Sequence, residues 1–402
     1  MPPHPTPAPV LVHCTNAYPL RGDGPEAVLA ALEEHAVGVR ERAAGGGPLP
    51  IGLYLPAAAA EALVRGERIR WFKDRLDGLG LEVHTLNGFP YGGFFTPASP
   101  GSPGASRASG GDRFGVYRPG WGDRRRVDQT LHLAAVLAEL LPAGVRRASI
   151  STLPVGWLGL DGTDFDVAAA HLREVAAHLQ QLKEQTGVRL TLDLEPEPGC
   201  ILDGAARAIE FLEPLLGGAV EREHLGICHD ICHSAVLFEE QAQSLEAYRE
   251  AGIRVNKVQV SSALDATFDG MDPPLIDEAV AVLRALPGDR SLRQTAVLHR
   301  GSSYFFEDLS VALKLYPQPC GRWRVHHHLP LTLETLGPLR TTRDAVADAF
   351  ADLAAHGEAP LLEAETYTWS TLPAPLRLES LAGGLAAELA WARAERDRAW
   401  PA

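Results

Sequence analysis

The chain has 402 residues, 46% hydrophobic and 22% charged, which is a globular composition and not a disordered one. A formal net charge of −14 argues against a nucleic-acid partner, because phosphate-backbone binding needs a basic surface. Five scattered cysteines (Cys14, Cys200, Cys228, Cys232 and Cys320) are too few and odd in number for a disulfide framework, and no apolar run is long enough to span a bilayer.

The opening MPPHPTPAPV lacks the basic and apolar regions of a signal peptide, so the expected compartment is the cytoplasm. Its prolines predict a disordered tail over residues 1–8. The first predicted strand, VLVHCTN, covers residues 10–16, and Pro25 is well placed to start the helix that follows. A second strand is expected at 50–56. Its helix contains the basic run RGERIRWFKDR, Arg65 to Arg75, which reads as a solvated helix face, and stops near Gly78 and Gly80. The third strand is expected at 81–88.

The pattern breaks at residues 89–113, FPYGGFFTPASPGSPGASRASGGDR. The aromatic part reads as a pocket wall or lid, and residues 95–113 as a mobile loop. The alternation then resumes, so the break is not a domain boundary. Helix VDQTLHLAAVLAELLP leads to a strand at 147–154, and a long helix from Asp166 leads to VRLTLDLEPEPG. Two more helix–strand pairs end in HLGICHDICHS and IRVNKVQVSS. A less regular stretch has helices near 275–287 and 307–316 around QTAVLHR. After it come a strand RWRVHHHLPL, a helix, a strand PLLEAETYTW and a last helix from Ser380.

Alternating strands and helices imply a parallel sheet with helices outside it, and eight repeats imply a closed (β/α)8 TIM barrel, a single domain over 9–402. Nine candidate strands are one too many, so either the first or one of the last three lies outside the barrel, or one of the nine is not a strand. An open doubly wound sheet is disfavoured, because no Gly-rich phosphate turn follows an early strand.

In such barrels the site lies where strands end. Here those ends are polar: Asp193, Glu195 and Glu197; Asp230 and His233; Lys257 and Gln259; the run His326 to His328; Glu363 and Glu365. Residues two apart share a face, so several carboxylates and imidazoles can converge. Converging buried acids repel unless a cation is bound or their pKa values rise. An oxygen-rich site suits Mn²⁺ or Mg²⁺, and more imidazole shifts the balance towards Zn²⁺ or Fe²⁺. Lone strand-end acids are ordinarily helix caps, and Cys228 and Cys232 are ordinarily small hydrophobes. Repetition sets this set apart.

The segments LDLEPEPG, GICHDICHSA, KVQVSS and EAETYTW, in that order, resemble the xylose isomerase-like superfamily, which groups sugar phosphate isomerases and epimerases with AP endonucleases. LNGFPYGGF and SISTLPVGWL also resemble it. VYRPGWGDRRRVDQTLHLAAVLAELLP and ETYTWSTLP look like the subgroup encoded in the Ebo metabolite-traffic operon. The resemblance implies one divalent metal held by Glu195, Asp230 and Glu365, with His233 near substrate or metal. Gln259 stands where a strand-seven histidine is expected, and His326 or His328 is the other source for that ligand. It further implies an isomerase or epimerase acting on a small sugar-like or polyol-like metabolite. Glu195 and Glu365 would pass a proton through an enediolate, His233 would bind a substrate oxygen, and Phe89, Tyr91, Trp121 and Trp157 would form apolar walls. The competing readings are a metal-dependent hydrolase or lyase and a non-catalytic metabolite-binding protein.

Overall fold

The computed structural model describes residues 7–92, 113–160, 162–288, 292–369, 372 and 380–401. Residues 1–6 of the expected tail and 95–112 of the expected loop lie outside them. Eight parallel strands close into a barrel. They are Leu11–Cys14, Leu49–Tyr54, Leu81–Asn87, Arg147–Thr152, Arg189–Leu194, Leu225–Asp230, Val255–Val260 and Leu361–Ala364, here the first to eighth barrel strands. The eighth pairs with the first on one side and the seventh on the other, which completes the ring.

The helices pack outside for reasons visible in their residues. Phe165–Thr186 begins where Asp164 accepts hydrogen bonds from the Asp166 and Val167 amides. Its buried residues Ala168, Leu172, Val175, Ala176 and Leu179 recur at helical spacing, so one stripe meets the barrel. Each fully buried Leu or Val there contributes about 2 kcal/mol. Gly187, at φ 70°, ends the helix in a left-handed conformation that a side chain disfavours.

Between the seventh and eighth barrel strands the chain builds a second, antiparallel sheet of six strands. In spatial order these are Ser302–Phe306, Thr295–His299, Arg322–Val325, Leu264–Thr267, Leu339–Thr341 and Thr335–Leu336. This accounts for the surplus strand: residues 322–325 belong to the second sheet. The expected strand also ends sooner than its sequence suggested, because the histidine run lies past Val325 in the connection back to the barrel. QTAVLHR, expected between helices, is largely a strand of the same sheet. The connection is tied to the barrel's upper rim where the Leu329 amide donates to the Ser262 carbonyl at 2.8 Å.

Barrel interiors are usually filled by Val, Ile and Leu. This one holds a polar column. Lys257 on the seventh strand reaches Asn87 Oδ1 on the third at 2.7 Å and Glu363 on the eighth at 2.5 Å, and both charged side chains are fully buried. Burial alone would lower the Lys257 pKa; Glu363 and, more weakly, Glu195 outweigh it, so the ammonium stays charged. Gly52 makes room for the pair. A Cβ there would sit 1.6 Å from Glu363 Oε1. One layer nearer the strand starts, Asp193 accepts from Ser149 at 2.5 Å, Thr191 at 2.6 Å and Asn256 at 2.7 Å.

Candidate metal centre at the carboxyl end of the barrel

Glu195 directly follows the fifth strand, Asp230 ends the sixth and Glu365 directly follows the eighth. The ladder aims all three inward: the Glu195 amide still donates to Thr152 and the Glu365 amide to Val260. Each offers a carboxylate oxygen, and the three oxygens lie within 4.8 Å of one another. All three residues are buried.

Asp230 has two jobs. As N-cap of the short helix Ile231–Val236, its Oδ1 accepts from the Cys232 and His233 amides, and from Ser261 Oγ at 2.7 Å. Its Oδ2 is buried with no hydrogen-bond partner and lies 3.5 Å from His233 Nε2. His233 Nδ1 is 2.8 Å from the Pro196 carbonyl, and His328 Nδ1 is 3.0 Å from that of Glu365. A carbonyl only accepts, so Nδ1 carries the proton in both rings. His328 Nε2 is thereby left as a bare lone pair, and it too has no partner. Asp230, His233 and His328 form a second ligand-spaced group sharing Asp230 with the first. Gln259 lines the same pocket; its amide nitrogen donates to Asn87 at 3.3 Å and its Oε1 is unpartnered.

The electrostatics follow from crowding. Burial, then Glu365 and Asp230, pushes the Glu195 carboxyl well above its ordinary range. Burial, then Asp230 and Glu363, raises Glu365 to about 8, against the pull of Lys257 and an Asn16 amide at 2.6 Å. For Asp230 burial acts upward, but His233, His328, Ser261 and the cap hydrogen bonds outweigh it and hold it low. Burial lowers His328 to about 4 and His326 further still, so both imidazoles are neutral near pH 7. Three acids, a neutral imidazole with a free Nε2 and unpartnered oxygens on Asp230 and Gln259 are a donor set that suits a divalent cation.

Beside this lies a third group, Glu197, His233 and His326. Tyr117 Oη and Gln294 Nε2 both donate to Glu197 at 2.7 Å, and His326 Nδ1 is 3.0 Å from Gln294 Oε1. His327 is also buried, but it lines no part of the pocket. The expected faces are thus only partly right. Glu195 joins the trio, Glu197 stands in the loop beyond it, and Asp193 and Glu363 lie below, in the polar column.

The pocket encloses about 80 Å³ among the described residues. Phe89 lines it as expected. Tyr91, Trp121 and Trp157 do not: Trp121 is fully buried in the core, and Trp157 packs edge-on against Phe114 and at 4.7 Å against Tyr117. The apolar walls come instead from Val116, Tyr117, Leu292 and Tyr367. Asn16 was readable as the polar end of the first strand. Tyr117 and Gln294 carried no periodic signal.

No protein-family model matches the chain, and no curated protein matches it. Among solved structures it is similar to a xylose isomerase-like TIM barrel protein from Mycobacterium smegmatis in complex with magnesium. The two are 13% identical, with 98% of each chain covered and a TM-score of 0.51. It is also similar to a xylose isomerase domain protein from Alicyclobacillus acidocaldarius at 14% identity, covering 97% and 99%, with a TM-score of 0.49. A 3-keto-D-glucoside 4-epimerase from E. coli matches at 15%, covering 96% and 98%, with a TM-score of 0.45. At such identities the likeness is one of fold alone, that of a closed eight-stranded parallel barrel with helices between the strands. No helix among the described residues is long and apolar enough to cross a membrane.

Proposed function

We propose that the carboxyl-end pocket belongs to a divalent-metal-dependent isomerase or epimerase acting on a small sugar-like or polyol-like metabolite. The observation that carries this is the meeting of Glu195 and Glu365 with Asp230, the Glu365 carboxyl being raised to about 8 and that of Glu195 also pushed up by burial and its acidic neighbours. Glu195, Asp230, Glu365 and His328 Nε2 would hold the ion, with Gln259 Oε1 as the remaining oxygen donor; His328 stands in for the imidazole that the seventh strand lacks. Bound there, Mn²⁺, Mg²⁺ or Zn²⁺ would polarise a substrate carbonyl and acidify the neighbouring C–H.

The side chains supply the proton transfers. One carboxylate of the Glu195–Glu365 pair removes the carbon-bound proton, and the other, protonated, returns a proton to the enediolate. Raised pKa values suit this exchange: Glu365, at about 8, changes state near working pH, and Glu195 is pushed in the same direction. Asn16 fixes one oxygen of Glu365 and leaves the other free to move a proton. His233, anchored by Pro196, binds a substrate oxygen through Nε2. Tyr117, Tyr367 and Phe89 exclude water from the reacting face.

The adjoining Glu197, His233 and His326 group favours a second reading, a hydrolase or lyase using more than one ion. Membership of the Ebo-operon subgroup, and with it a role in metabolite traffic, rests on the sequence motifs alone. Elemental analysis of the native protein separates the two readings by metal count per chain. Proton NMR of a panel of ketoses, aldoses, keto-glycosides and cyclic polyols in D₂O then tests the reaction. The expected result is deuterium in a substrate C–H that disappears in Glu365→Gln. A native protein without metal, together with unchanged behaviour of Glu195→Gln and Glu365→Gln, overturns the enzymatic reading.

A further inference from the structure

The other end of the barrel carries a second concavity, of the opposite charge. Arg147 and Arg189 are the first residues of the fourth and fifth strands and stand side by side in register. Arg254 immediately precedes the seventh strand. With Ser149, Thr191 and Asn256 these arginines line a cavity of about 750 Å³. That size falls within the ~300–1,000 Å³ usual for small-molecule pockets.

None of the three guanidinium groups is in an ion pair among the described residues; Arg254 donates to the Arg222 carbonyl, and Glu223 and Asp193, the acids that act on Arg189, are each bonded to other groups. Glu223 holds Lys183 at 2.5 Å and Glu358 holds Arg249 at 3.1 Å. Asp193, under the cavity floor, is occupied by Ser149, Thr191 and Asn256. Arg249 also lines the cavity, but Asp352 and Glu358 neutralise it. Arg189 Nε is buried with no hydrogen-bond partner. After burial, the charges of Arg254 and Arg147 are what most depress the Arg189 guanidinium, so the three stand close enough to repel. They do so in a chain whose net charge is −14.

Unpaired cations crowded at a concave surface raise the potential there and favour a multivalent anion. Guanidinium groups present paired donors that match phosphate oxygens. We propose that the amino-terminal mouth of the barrel is a binding site for a phosphate-bearing small molecule, whose phosphoryl group is held by Arg147, Arg189 and Arg254. The cavity has room beyond a bare phosphate, and Asn256, whose amide keeps an oxygen and a second N–H beyond its bond to Asp193, offers an uncharged polar contact to the rest of the molecule. This site is separate from the carboxylate pocket and does not depend on how that pocket is read.

Isothermal titration of the full-length protein with glucose 6-phosphate, with glucose and inorganic phosphate as controls, tests the proposal at fixed ionic strength. The ester should bind, glucose should not, and added chloride should weaken binding. Arg147→Gln, Arg189→Gln and Arg254→Gln should each weaken it about tenfold or more, the loss of one charged hydrogen-bonding group. Glu365→Gln should leave it unchanged, which separates this site from the other. Arg147 and Arg254 are exposed, so their variants carry the test should Arg189→Gln fail to fold. Without ligand, Arg147→Gln should melt no lower than the parent, because it removes only repulsion. Three results would each overturn the proposal: no binding of either phosphate compound up to about 10 mM, binding undiminished by the arginine replacements, or binding lost only in Glu365→Gln.

Discussion

At the carboxyl end of the barrel, three acids crowd together beside neutral imidazoles. At the amino end, three arginines crowd together while their neighbouring acids are engaged elsewhere. Between the two, Lys257 and Glu363 form a matched pair sealed from water. The ends leave like charges unbalanced, and the middle does not. A buried pair with its hydrogen bonds made is tolerated as structure, whereas unbalanced like charge persists where something else supplies the counter-charge. The unmatched clusters are therefore where ligands are to be sought, and the matched pair is where stability is at stake.

Lys257→Met tests that division most severely. It strands Glu363 in the barrel and should destabilise the protein by about 3–5 kcal/mol in urea titrations. Adding Glu363→Gln should recover most of that loss; no recovery would mean that Lys257 serves the acids above it more than its partner. Glu365→Gln comes next. It should weaken Mn²⁺ binding more than about 100-fold by calorimetry, beyond the loss usual for groups that merely support a ligand, with only a small change in unfolding.

Acidity gives a smaller effect of definite sign. Glu195 and Glu365 bind protons more tightly in the fold than in the unfolded chain. The metal-free protein should therefore lose stability as pH rises from about 6.5, above which the buried imidazoles no longer add stability, through about 8, where Glu365 titrates. Saturating Mn²⁺ should flatten this slope in scanning calorimetry. A metal-free protein that gains stability over that range would contradict the crowding described. The smallest expected effect is at the far end: Arg147→Gln should change Mn²⁺ affinity by less than about twofold, as distant sites behave independently. A larger change would couple the two mouths through the polar column.

Much of the barrel was legible, because each strand is a short apolar run ending in polar residues. The carboxylate trio was legible for the same reason, since Glu195, Asp230 and Glu365 fall where strands stop. The second sheet was not. Its strands are short, two of them holding only two and three residues, and Ser302–Phe306 is largely exposed, so no face repeats. The histidine run was visible, but its place in a connection was not. The arginine mouth was invisible, because it gathers the starts of three separate strands. The contiguous basic run drew attention instead, and there Arg65, Arg68, Arg70 and Arg75 are each answered by a glutamate on the surface.

The eighth strand carries both Glu363 and Glu365, and it is inserted between the first and the seventh. The contact between Asn16 and Glu365 spans 349 positions of chain. Lys257 thus lacks its Glu363 partner, and the acid trio its third member, until the chain has been synthesised past residue 365 and the ring has shut. Loop closure over such a distance comes late in folding. Loading of the centre is for this reason a readout of completed assembly: a cation added to a refolding chain can quicken only the final step, and a chain cut short before residue 361 cannot retain one through this set of acids.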